Sequence, residues 1–78
     1  MPHVAIKLFP GKTEEQKVEL TEAIRQSVLT IFKSTDESIS IAFEEIDPKN
    51  WIEAVYKPDI ESKLDKLYKK PGYNPYTR

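Results

Sequence analysis

The chain has 78 residues and a formal net charge of −1, from 12 basic and 13 acidic side chains. This length predicts one small domain, and the balanced charge gives no basic surface of the kind that binds nucleic acid. With no cysteine and one histidine, the chain excludes disulfides and thiolate metal sites. No apolar run approaches membrane-spanning length and no signal peptide is predicted, so we expect a cytoplasmic protein without a membrane partner.

The first predicted element is a strand that runs to Phe9. Val4, Ile6 and Leu8 alternate with residues of the opposite face, which indicates a strand that is more buried on one side. Pro10-Gly11 should end this strand as a turn.

A helix is predicted from Thr13 to about Phe32. The stretch Thr13-Glu14-Glu15-Gln16 fits a capping box, in which Thr13 and Gln16 bond to each other's backbone. Apolar residues then recur at helical spacing, which predicts core packing. The residues of this stripe are Leu20, Ile24, Ser27, Val28 and Ile31.

A second strand follows a polar linker over residues 33–37. From Ser38 to Ile46 apolar and small or polar residues alternate with period two, so Ile41 and Phe43 should share a face opposite to Ser40. Two strands joined by a full helix should be parallel, with a right-handed crossover. A two-stranded sheet leaves unpaired edges, and a second copy of the chain is the simplest way to complete it.

The rest of the chain predicts short helices. Asp47-Pro48 is typical of a helix start, Lys57-Pro58 should break or kink that helix, and a further helical stretch should begin at Pro58. We therefore predict a single domain over 1–78, with a β-α-β core over 2–46, a helical extension over 47–73 and a tail over 74–78.

Pro2 is the candidate catalytic residue. Removal of Met1 would expose its secondary amine at the start of the first strand, and an apolar surrounding lowers the pKa of such an amine. An amine that is neutral near pH 7 is an effective general base. The alternative is that Pro2 merely opens an edge strand.

With these elements in place, the chain resembles the tautomerase superfamily. Residues 2–51 are similar to 4-oxalocrotonate tautomerase without a gap, and residues 48–73 are closer to a bacterial branch of longer chains that includes the homodimeric phenylpyruvate-type tautomerase. The matching pieces are Pro2, the strand to Phe9, Gly11-Lys12-Thr13, Glu15-Gln16-Lys17, Ser38 to Glu45, and Lys69-Lys70-Pro71-Gly72-Tyr73.

The resemblance implies an α+β fold with a β-α-β protomer, parallel strands, short C-terminal helices and a sheet completed by oligomerisation. It also implies a cofactor-independent keto–enol tautomerase that acts on a small enol-pyruvate or 2-hydroxydienoate, with Pro2 as general base and acid. No cofactor and no metal are implied. The expected assembly is a homodimer, with a hexamer as the alternative.

Three further residues lie at family site positions. Lys12 replaces an arginine that binds the substrate carboxylate, keeping the charge without the two-pronged geometry; a solvated turn lysine is the alternative. Ser40 replaces an arginine that polarises the carbonyl, which removes a charge of the kind that stabilises an enolate. Trp51 corresponds to an aromatic residue of the pocket wall, with plain core packing as the alternative. We interpret His3 as an exposed strand histidine.

Two other functions stay open on the sequence. One is a small dimerisation or ligand-binding module that keeps the fold without catalysis, which the change at Ser40 favours. The other is hydration or dehalogenation on the same scaffold, for which the chain offers few of the extra charged groups that such reactions require.

Overall fold

The computed structural model describes residues 1–77. Their contacts form two compact units, of which the first is Met1–Glu45 and the second begins at Ile46. The part of the predicted tail that falls on Arg78 lies outside the described residues. In the range that is described, no helix combines the length and the apolar character that a membrane crossing requires.

The first unit is a β-α-β arrangement. Strand β1 spans His3–Leu8, helix α1 spans Glu14–Phe32 and strand β2 spans Ser40–Glu45. The strands pair in parallel from His3↔Ser40 to Leu8↔Glu45, which confirms the predicted parallel pairing. Over residues 1–77 the sheet contains these two strands only and is not closed. A short 3-10 helix, Asp36–Ser38, lies at the end of the predicted linker and includes Ser38, the first residue that we predicted as strand.

The capping box at the start of α1 is confirmed. The Gln16 amide donates to Thr13 Oγ1 at 3.0 Å, and the Thr13 amide donates to Gln16 Oε1 at 2.9 Å. Two of the otherwise unpaired donors at the helix start are thereby satisfied. At the other end Lys33 takes a left-handed conformation, φ 57° and ψ 36°, which ends the helix.

One face of the sheet is covered and the other is exposed. The half-buried side chains are those that the alternation predicted, for example Ile6 and Phe43. Leu20 of α1 lines a groove together with these two side chains, so α1 lies on this side of the sheet. The predicted core stripe of α1 is only partly buried, since 72% of Ile31 is exposed. Its neighbour Phe32 is 70% exposed. The far end of α1 therefore presents apolar surface.

An ionic network ties α1 to the turn before β2. Arg25 contacts Glu22 at 2.8 Å on its own helix and Asp36 at 2.7 Å across the turn. The hydrogen bond from Arg25, supported by one from Gln26, lowers the pKa of the Glu22 carboxyl from its ordinary value.

The second unit is helical and irregular. A 3-10 helix, Pro48–Asn50, begins at Asp47, whose carboxylate accepts from the Lys49 amide at 3.0 Å, which confirms the predicted start. A π-type helix, Ile52–Ile60, and a second 3-10 helix, Glu61–Lys66, follow.

Of the predicted break or kink at Lys57-Pro58, the break is wrong. The backbone stays helical through Pro58 as far as Ile60, with the wider hydrogen-bonding spacing of a π-helix. Proline removes one amide donor and crowds the carbonyl four residues earlier. The wider turn is compatible with both effects, and the helical geometry is interrupted later, at Lys63 (φ −126°, ψ 21°).

The two buried side chains among the described residues lie in this π-type helix. Val55 is 4% exposed and Tyr56 is 6% exposed. The ring of Tyr76 meets the ring of Tyr56 edge-on, with 5.6 Å between centroids and 89° between planes, a favoured aromatic geometry. Desolvation, followed by the charge of Glu61, raises the pKa of the Tyr76 hydroxyl.

Candidate active site

Pro2 lies directly before β1, at the end of the sheet where both strands begin. Its carbonyl accepts a hydrogen bond from the Ser40 amide at 3.2 Å, and the residue is half-buried while Met1 is fully exposed. The bond uses the carbonyl and leaves the Pro2 nitrogen uninvolved. That nitrogen is in a peptide bond with Met1, so it becomes an amine only when Met1 is removed.

Ser40 and His3 form a side-chain pair beside Pro2. His3 Nδ1 lies 2.6 Å from Ser40 Oγ, and both residues lie on the exposed face of the sheet. The prediction that His3 is an exposed strand residue is confirmed. Its bond to Ser40 was not predicted, because it depends on the register of the two strands.

Lys12 lies at the other end of β1, in a groove of about 190 Å³. The groove is mostly apolar and is bordered by two lysines, so it has the chemistry to hold an apolar group with a carboxylate. The residues that line the groove are Ile6, Leu8, Lys12, Gln16, Lys17, Leu20 and Phe43.

The second lysine of the groove has a carboxylate partner. Lys17 Nζ lies 2.7 Å from Glu45 Oε2, and the pair joins the first turns of α1 to the end of β2. The Lys17 side chain is 21% exposed and the Glu45 side chain 40% exposed, so solvent screens the attraction in part. Because the Lys17 charge is engaged by Glu45, Lys12 is the groove lysine better placed to meet an anion.

Trp51 lies in the second unit. It is half-buried between the 3-10 helix Pro48–Asn50 and the π-type helix Ile52–Ile60, and its backbone amide donates to the carbonyl of Pro48. Of the predicted site residues, the first unit therefore brings Pro2 and Ser40 together and places Lys12 at the opposite end of β1.

Metal ligands do not gather in the part of the chain that the structure describes. Within residues 1–77 no group of three or more His, Asp or Glu side chains is placed to hold a metal ion. The candidate residues of the first unit offer an amine precursor at Pro2, a hydroxyl at Ser40 and an ammonium at Lys12, and His3 adds an imidazole beside Ser40.

A comparison with known families decides the classification. The family profile described as tautomerase enzyme matches residues 2–56, which is most of the chain. The chain belongs to the tautomerase family. Both units contribute to the matched range, which begins at Pro2.

Individual relatives agree with this classification. Tautomerase PptA of Pectobacterium carotovorum is 44% identical over 75 residues, covering 95% of this chain and 99% of that protein. A probable tautomerase of Xylella fastidiosa is 32% identical over 73 residues, covering 94% and 89%. The expectation that the chain is an isomerase with tautomerase activity is confirmed.

A solved structure supports the fold. The crystal structure of YwhB, a homologue of 4-oxalocrotonate tautomerase, superposes with a TM-score of 0.57 and is 33% identical, covering 59% of this chain and 75% of that one. The β-α-β protomer with an open two-stranded sheet is therefore the tautomerase fold, as the resemblance implied.

Proposed function

We propose that this tautomerase is a cofactor-independent keto–enol isomerase in which Pro2, freed by removal of Met1, carries the proton. The substrate class is a small enol-pyruvate or 2-hydroxydienoate. The observation that supports the proposal is the bond between the Pro2 carbonyl and the Ser40 amide, 3.2 Å. It fixes the residue at the end of the sheet without engaging its nitrogen.

The proton transfer balances within the substrate. The neutral amine of Pro2 takes the proton of the enol hydroxyl, and the electron pair left on the oxygen forms the carbonyl. The electrons of the carbon–carbon double bond then accept the proton at C3 from the Pro2 ammonium. Free α-amino groups titrate at about 7.7–8.0, and a half-buried position favours the neutral form that this step requires.

The carboxylate anchor is assigned to Lys12, and a second copy of the chain would supply it. β1 spans His3–Leu8, and at about 3.3 Å per residue the strand separates its two ends by roughly 17 Å. A small enol-pyruvate cannot bridge Pro2 and Lys12 of one protomer over that distance. The same reasoning supports a homodimer, in which Lys12 of one copy lies beside Pro2 of the other.

Ser40 and Trp51 are the two remaining candidate substrate-binding residues. Ser40 can provide a neutral hydrogen bond, but it has no positive charge that would bind a second carboxylate of the substrate. Monocarboxylate enols should therefore be better substrates than dicarboxylate dienols. Trp51 is assigned an apolar wall, an assignment that rests on the family resemblance.

The test compares two forms of the protein that differ at the amine. One begins at Pro2, and the other carries one glycine before Pro2, which keeps a terminal amine but turns the Pro2 nitrogen into an amide. Ketonisation of phenylenolpyruvate, followed by absorbance, should occur with the first form and be lost with the second. Native mass should show the same assembly for both forms.

Two outcomes would contradict the proposal. If the glycine-extended form turns over at the rate of the first form, Pro2 only opens a strand. If neither form accelerates ketonisation while both bind the substrate analogue 3-phenylpropanoate, the chain is a non-catalytic binding module on the tautomerase fold.

A further inference from the structure

His3 and Ser40 occupy the first positions of the two strands. They are aligned in the parallel register, their side chains meet at 2.6 Å, and the Ser40 amide bonds to Pro2. The two side chains therefore lie at the same end of the sheet as the proposed amine. We call them the His3–Ser40 pair.

The direction of the hydrogen bond decides what Ser40 offers to a ligand. If Ser40 donates to Nδ1, its proton is directed at the imidazole and only oxygen lone pairs face outward. If Nδ1 carries a proton and donates to Ser40 Oγ, the hydroxyl proton is available for a third group. Carboxylate and enolate oxygens only accept hydrogen bonds, so an anionic substrate fits the second arrangement alone.

We propose that His3 is a positioning residue that turns Ser40 into a hydrogen-bond donor for an oxyanion of the substrate. Binding of the anion selects the arrangement in which Nδ1 donates. When the imidazole is protonated both ring nitrogens donate, and a positive charge then lies directly behind the hydroxyl. The inference rests on the proposed function, because it takes a small carboxylate beside Pro2 as the ligand.

Other charges on this face lie farther along the strands. In the described strands, the ionisable residues of the same exposed face are Lys7 and Glu44, which are aligned with each other. They are four residues from His3 and Ser40, roughly 13 Å at about 3.3 Å per residue, beyond the screening length of about 8–10 Å in physiological salt. Within β1 and β2, His3 is thus the ionisable side chain of this face that lies at the Pro2 end.

Binding of 3-phenylpropanoate, measured by NMR titration of Met1-free protein, tests the pair without requiring turnover. Ser40→Ala and His3→Ala should each weaken binding about tenfold, the loss expected for one hydrogen bond to a charged group. The double variant should lose no more than either single variant, since the two side chains act as one unit. Circular dichroism should show that the variants, all at exposed positions, remain folded.

Two matched variants separate positioning from general effects. His3→Asn retains a donor where the imidazole has Nδ1 but does not titrate, so it should bind within about threefold of wild type. Glu44→Gln removes a charge from the same face of the sheet and should match wild type.

Each outcome bears on one proposal or the other. The proposal that His3 positions Ser40 would be overturned by any of three results. These are additive losses in the double variant, an affinity of His3→Ala equal to that of wild type, and no binding by wild type. The expected binding pattern without ketonisation of phenylenolpyruvate supports the pair and contradicts Pro2 catalysis. Turnover that depends on Pro2 but not on His3 contradicts the pair alone.

Discussion

The Ser40 amide lies 3.2 Å from the carbonyl oxygen of Pro2, so the residue before β1 is fixed by the first residue of β2. This contact is made by backbone atoms alone. A change of the Pro2 side chain therefore alters the chemistry of the proposed amine while the bond that positions it remains available.

Pro2→Ala, in protein freed of Met1, should lower kcat strongly without abolishing it, because a primary amine remains at the same place. The ascending limb of kcat/KM against pH should lie below neutrality in wild type and move to lower pH in the variant, since a primary amine is less basic than proline's secondary amine. Steady-state kinetics on phenylenolpyruvate measure both effects. An unchanged limb would show that another group is the base.

Lys12→Ala should raise KM for phenylenolpyruvate more than it lowers kcat, because a carboxylate anchor contributes equally to the ground state and the transition state. Lys66→Ala removes the same charge from an exposed position in the second unit and should leave KM unchanged. Equal kinetics for the two variants would mean that Lys12 is a solvated turn lysine.

The fold was largely predictable because its signals are local. The capping box needs only Thr13 and Gln16 in sequence, and the alternation in both strands identifies the faces that the structure leaves half-buried. The strand pairing followed from the helix between the strands, since a crossover of that length requires parallel strands.

The missed features depend on contacts between distant parts of the chain. The His3–Ser40 bond needs the register of β1 against β2, which alternation alone does not specify. The continuation of the helix through Pro58 depends on a switch to π-type spacing, which no local pattern indicated. The position of Lys12, at the opposite end of β1 from Pro2, also depends on the bounds of the strand, which the sequence pattern did not fix.

Thr13→Ala should destabilise the protein by about 1 kcal/mol, because the variant loses the side-chain acceptor for the Gln16 amide. Thr30→Ala, at an exposed position inside the same helix, should be neutral or slightly stabilising, since alanine has the higher helix propensity. Urea unfolding at one fixed protomer concentration measures both. Equal losses in the two variants would contradict a role of the cap.

Glu22→Gln should reduce stability at pH 7, and the loss should shrink as the pH falls. The hydrogen bond from Arg25 lowers the folded-state pKa of Glu22 below its ordinary value of 4.5. The stabilisation is therefore present above that value and is lost as the pH falls through the lowered pKa. Urea unfolding over a series of falling pH values should show the stabilities of wild type and Glu22→Gln converging, and a difference that stays constant with pH would contradict the role of this carboxylate.

The exposed apolar end of α1 is a surface on which a second copy of the chain can pack. Ile31 is 72% exposed and Phe32 is 70% exposed, and the two-stranded sheet of the described residues leaves strand edges for another chain to pair with. We therefore expect a homodimer at micromolar concentration.

Phe32→Asp should shift this dimer toward monomer, since it places a charge on apolar surface that a partner would bury. Thr30→Asp introduces the same charge at a neighbouring exposed position of α1 and should leave the dimer intact. Light scattering and native mass spectrometry over a dilution series distinguish the species.

A stable wild-type monomer would contradict both the assembly and the proposed donation of Lys12 from a second copy. A hexamer would contradict the dimer while leaving the composite site possible. Equal dissociation of the two variants would show that added charge, and not loss of the Phe32 contact, separates the chains.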